Sequence, residues 1–124
     1  MRSQPISVRT VLPATIAVLV LAFTGMAFAL GTTTAFIGKQ PSHAGVSIDW
    51  RSNTVGWSRQ NLTLTCTLYH DGVEFGSDHN SCNNSTSCTT PNNVSFFADE
   101  GTWTVIAKGC GTNGCTTDSK SVSA

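Results

Sequence analysis

"NLTLTCTLYH", residues 61–70, is the stretch on which the fold class turns. Leu62, Leu64, Cys66 and Leu68 recur at every second position, with Thr63, Thr65, Thr67 and Tyr69 between them. Successive side chains of an extended strand point to opposite faces, so this run turns an apolar face to a core and a threonine face to water. A helix would need its apolar residues three and four apart. No useful length of chain after Leu30 has that spacing.

The same alternation continues on either side. "GVSIDW" (45–50) places Val46, Ile48 and Trp50 on one face and predicts a first strand. Turn residues then surround Trp57, which reads as a tryptophan at a sandwich end or a loop anchor. Asp71-Gly72 is a hairpin turn pair, after which Val73 and Phe75 continue as a short strand. "TWTVIAKG" (102–109) sets Trp103, Val105 and Ala107 inward against Thr104, Ile106 and Lys108, and "VSFFADE" (94–100) is expected to return Val94 and Phe96 to the core. A last strand within 116–122 is polar enough to form an edge. About six or seven short strands with turns between them predict an all-β fold, an antiparallel β-sandwich, over residues 45–124. Between Phe75 and Val94, "GSDHNSCNNSTSCTTPNN" reads as a long polar loop tied down by Cys82 and Cys88.

Residues before the sandwich have a different composition. Arg2 and Arg9 precede the apolar run "VLPATIAVLVLAFTGMAFAL" (11–30), and Ala27 and Ala29 form an A-x-A site. Such a pattern predicts a helical export signal over 1–29 cut after Ala29, with an uncleaved anchor as the alternative. Residues 30–44 then form a flexible lead-in, and the mature protein spans no membrane. Of the 124 residues, roughly 95 remain, a size whose core gains from covalent staples. All five cysteines lie beyond the signal, in a chain bound for an oxidising, extracellular location. Charged residues make up 11% of the sequence and the net charge is zero, so no basic stripe is present to engage nucleic acid.

In "CGTNGC" (110–115) the inner glycines and asparagine suit a tight hairpin that would bring Cys110 and Cys115 face to face. The preferred pairing is Cys110 with Cys115 and Cys82 with Cys88, leaving Cys66 as a buried thiol. A bridge from Cys66 to Cys82 or Cys88 is the rival.

"GWSRQNLTLTCTLYHDG" (56–72) followed by "DEGTWTVIAKGCGTNG" (99–114) resembles the bacterial Ig-like modules of secreted and cell-surface proteins. Local cysteine pairs also give a looser resemblance to the apoproteins of actinomycete chromoproteins. The first likeness implies an Ig-like sandwich. Two features depart from the family pattern: cysteines flank the final hairpin, and the Cys82/Cys88 segment is additional. An Ig fold proper would imply a bridge between Cys66 and Cys110, but the parity of Cys110 with Thr104 and Lys108 turns it outward.

"HDGVEFGSDH" (70–79) contains a cluster of metal-ligand residue types, His70, Asp71, Glu74, Asp78 and His79, of which His70, Asp71, Asp78 and His79 are the metal candidates. It lacks the fixed spacing of a zinc motif and suits a solvated loop, as Asp99-Glu100 suits a turn rather than calcium. No G-x-S-x-G elbow or exposed thiol marks an enzyme, and no cofactor is implied. Asn61, Asn83, Asn84 and Asn93 begin N-x-S/T sequons. The expected function is that of a small secreted, non-catalytic binding module. Its contact surface would be the loop residues Asn83, Asn84, Ser85, Thr86 and Ser87, and its partner a protein or glycan at the cell surface or in the medium. The alternatives are a stapled effector or inhibitor, or a carrier of a small ligand.

Overall fold

A computed structural model describes residues 30–42, 45–96 and 98–124. The export signal expected over 1–29 lies outside them. Among the described residues there are eight strands: β1 (Thr32–Ser42), β2 (Gly45–Val55), β3 (Gln60–His70), β4 (Val73–Ser85), β5 (Cys88–Thr89), β6 (Asn93–Ser95), β7 (Thr102–Gly111) and β8 (Gly114–Ser123). They form two antiparallel sheets. One has β2 at its centre, with β1 on one side and β5 and β6 in succession on the other; its partner has the order β4-β3-β7-β8.

The alternating runs do what their spacing requires. Leu62, Leu64, Cys66 and Leu68 of β3 are buried, as are Trp103, Val105 and Ala107 of β7 and Ile48 and Trp50 of β2. They meet between the sheets, with Ala35 of β1 completing the central cluster, and the fold is an antiparallel β-sandwich. A second cluster at one pole gathers Trp57, Leu62, Leu64 and Cys88. Trp57 fills that end and its Nε1–H donates to Thr54 Oγ1 at 2.6 Å. Gly109 sits where the sheets approach closely, since a Cβ there would strike the Thr33 and Thr54 hydroxyls.

Three expectations are corrected. Residues 32–42, expected to lie in a flexible lead-in over 30–44, are strand: β1 pairs with β2 in unbroken register from Thr32↔Val55 to Ser42↔Gly45. Its few inward apolar side chains hide a strand held mainly by backbone pairing. Most of the supposed loop is likewise strand, because β4 runs to Ser85 alongside β3. Its inward positions are Gly76, Asp78, Asn80 and Cys82, opposite Leu68, Cys66, Leu64 and Leu62, so no apolar alternation announces it. Val94 and Phe96 do not return to the core and are 42% and 64% exposed. The register of β6 puts Asn93 beside Trp50 and Ser95 beside Ile48, which turns Val94 outward.

Polar bonds close both open sides of the sandwich. On one side β4 reaches the opposite sheet through the Cys82–Cys88 disulfide, through Asn80 Nδ2 donating to Thr89 O (2.7 Å), and through Asn93 Nδ2 donating to Asp78 Oδ2 (3.0 Å). On the other, β1 and β8 are joined by side chains. The Ala35 N–H donates to Asp118 Oδ2 (2.9 Å), Lys120 Nζ to Ala35 O (3.3 Å) and Lys39 Nζ to Ser123 O (2.8 Å), while the Thr33 and Thr116 hydroxyls bond at 2.7 Å.

Candidate functional site

Cys82 lies near the end of β4 and Cys88 begins β5, so their bridge (Cα–Cα 5.7 Å) joins the two sheets and closes the loop 83–87, made of the last three residues of β4 and the two that follow. Within that loop Asn84 has φ 51°, a left-handed conformation that asparagine tolerates better than most residues. Neighbouring segments fix the backbone. The Asn84 N–H donates to Asn61 Oδ1 (3.0 Å), Arg59 Nη1 to Asn84 O (2.8 Å) and the Trp57 N–H to Thr86 O (3.2 Å). Ser85 folds in to donate to Asn83 O (2.9 Å), leaving Asn83, Asn84, Thr86 and Ser87 exposed.

Cys110 and Cys115 face each other across the β7–β8 hairpin and are bridged at a Cα–Cα distance of 4.0 Å. Cys110 also lies opposite Thr63, next to the Leu62 that faces Cys82, so both staples sit at one pole. Gln60 ties the segment 58–61 to the β7–β8 hairpin. Its Oε1 accepts from the Thr112 N–H (2.7 Å) and hydroxyl (3.1 Å), and its Nε2 donates to Ser58 O and Oγ, each at 2.9 Å. Arg59 and Gln60 carry no motif in the sequence, and Asn61 is marked there only as a sequon; nothing in the three residue types points to their holding the pole.

Cys66 is fully buried beside Ser52 and Thr90, whose hydroxyls lie 3.1 Å apart. Burial pushes its thiol above the ordinary cysteine range, against the hydrogen bonds of Ser52 and Thr90, which lower it. It is the one free cysteine among the described residues.

The "HDGVEFGSDH" residues are brought to different places. His70 stacks on Trp103 (centroids 4.2 Å apart) and its Nε2–H donates to Glu100 O at 2.8 Å. Asp71, 3.5 Å from His70 Nε2, accepts the Thr102 N–H at 2.8 Å. Both tie the β3–β4 turn to the start of β7. His79 lies five pairs along the sheet, opposite Thr65 on the outer face, while Asp78 points inward to Asn93. Among the described residues no group of three or more His, Cys, Asp or Glu could hold a metal ion.

Comparison with protein-family models, with curated proteins and with solved structures finds no match to this chain.

Proposed function

We propose that this is an exported Ig-like module that binds its partner without catalysis, using the stapled pole as its contact surface. One observation carries the reading: two disulfides, Gln60 and Asn61 hold the loop 83–87, the segment 58–61 and the hairpin 111–114 as one polar rim. A contact surface ordered beforehand loses less conformational entropy on binding. Residues 58–61, 83–87 and 111–114 offer amides, hydroxyls and the Arg59 guanidinium, with the exposed Leu30 and Val55 beside them, which suits a partner, protein or glycan, held mainly by hydrogen bonds. The order β4-β3-β7-β8 packed on β1-β2-β5/β6 supports the Ig-like reading, as the Ig topology also sets a C′CFG sheet against an ABE sheet. The two disulfides suit an oxidising compartment and so support secretion.

Cross-linking of the mature protein to its native surroundings tests this reading. Asn83→Ala, Thr86→Ala and Ser87→Ala together should abolish the cross-linked species and leave the β-rich circular dichroism spectrum intact. His79→Ala, on the outer face of β3 and β4, should leave it unchanged. Capture that survives the triple substitution would place the contact surface elsewhere. Protein recovered from the medium should begin at Leu30.

A further inference from the structure

A cavity of about 500 Å³ lies away from the stapled pole, on the outer face of β1 and β2 and around the edge of β1 towards β8. Its wall contains Phe36, Gly38, Asp49, Arg51, Asn92 and Lys120. We propose that this cavity is a binding site for a neutral saccharide, one or two pyranose rings in size. The inference does not rest on the function proposed for the pole.

Gly38 is the first reason. Glycine weakens a strand interior, and where one occurs it often marks a bulge, a tight bend or a place that another group approaches closely. Neither a bulge nor a bend accounts for Gly38: β1 and β2 keep unbroken register through Gly38↔Asp49, and its φ lies outside the left-handed region. Nor does a protein neighbour account for it, because among the described residues nothing lies within 4 Å of where a Cβ would sit. The space is kept open towards the cavity.

The polar groups around that space are the second reason. Asp49, directly across from Gly38, is half-buried, yet among the described residues no hydrogen bond or ion pair reaches its carboxylate. Arg51, two residues along the same face, is held over the Phe36 ring at 4.1 Å and makes no ion pair with Asp49. Its N–H donors therefore stay available. Asn92 adds an amide that can both donate and accept. Lys120 is already occupied by Asp118 (2.6 Å) and Ala35 O.

These groups select the ligand's chemistry. An anion would gain from Arg51 and be opposed by Asp49, and a cation the reverse. A neutral polyol satisfies both, since one hydroxyl can donate to the carboxylate while its neighbour accepts from the guanidinium, and no buried charge is left unpaired. The bare backbone at Gly38 and the side of the Phe36 ring give the C–H face of a sugar ring an apolar surface. The volume lies within the about 300–1,000 Å³ typical of small-molecule sites.

Ligand-observed NMR and calorimetry on the mature protein would use glucose, galactose, mannose and N-acetylglucosamine, with their β1,4-linked disaccharides as a chain-like source. Glucosamine and glucuronate serve as the charged arms. At least one neutral sugar should bind at millimolar or lower concentration, and better than either charged analogue. Asp49→Asn and Arg51→Ala should each weaken it about tenfold or more, a loss of about 1.4 kcal/mol. Gly38→Val should abolish binding while raising the thermal midpoint, because a β-branched residue suits an open strand position better than glycine. The proposal is overturned if no neutral sugar binds, if a charged analogue binds better, or if binding survives Gly38→Val. It is also overturned if Gly38→Val unfolds the protein, since the glycine would then have a structural reason. Loss of pole-dependent cross-linking alone would leave this site standing.

Discussion

Asp118→Ala removes the acceptor that joins the Ala35 N–H to β8 and frees Lys120, a change worth about 1 kcal/mol, or about 4–8 °C in a domain of this size. The Lys120 ammonium first, and then the Ala35 N–H, hold the Asp118 carboxyl below the usual carboxylate range. A carboxyl depressed in the folded state contributes its full stability above its unfolded pKa of about 3.9 and loses it as pH falls through the lower folded value. The difference in thermal midpoint between wild type and D118A should therefore be largest near neutral pH and close in acid; a constant difference down to about pH 2 would show that charge plays no part. Cys66 gives a second residue-scale test. Buried, and with its thiol pushed up by burial, it should not react with an aromatic disulfide reagent in the folded protein and should yield one equivalent after unfolding without reductant. Reaction in the folded state would mean that the core beside Ser52 and Thr90 opens. Its burial was legible from parity alone, because Cys66 alternates with three leucines. The hydroxyls of Ser52 and Thr90 that meet its sulfur come from β2 and from the residue after β5, and left no such mark.

The two staples should not be equal. Chain-entropy reasoning gives each short loop about 2 kcal/mol. Cys88, however, also packs with Trp57, Leu62 and Leu64, and its bridge links two sheets, whereas Cys110–Cys115 reinforces a hairpin already in register. C82A/C88A should therefore lower the urea midpoint more than C110A/C115A; the reverse order would show that the β7–β8 hairpin limits stability. Elements that bury one apolar face, β2, β3 and β7, could be read from alternation. Those held by backbone pairing and polar side chains could not. β4 turns Asp78 and Asn80 inward because Asn93 and Thr89 meet them, and that complementarity spans 15 and 9 residues of sequence. Val94 and Phe96 misled for the opposite reason: hydrophobic as they are, the register of β6 against β2 decides their face. Of the candidate site, the cysteine pairs could be read from their short spacing, while the ties made by Arg59, Gln60 and Asn61 depend on contacts 23 to 52 residues away.

Across the whole molecule the two core clusters lie end to end along β3, with Leu64 in one and Cys66 in the other, and they should melt as a unit. Far-ultraviolet circular dichroism and tryptophan fluorescence should give one midpoint, because Trp57 reports on one cluster and Trp50 and Trp103 on the other. Separate midpoints would divide the sandwich into two cooperative parts. The side-chain seam between β1 and β8 has a mechanical corollary. Its bonds join Thr33 to Thr116, Ala35 to Asp118 and Lys39 to Ser123, so the two strands run parallel, and the start of β1 and the finish of β8 lie at opposite poles. Tension applied between those two points pulls along the strands. All the bonds of the seam, and the full register of β1 on β2, would then be loaded together in shear instead of parting one after another like a zip.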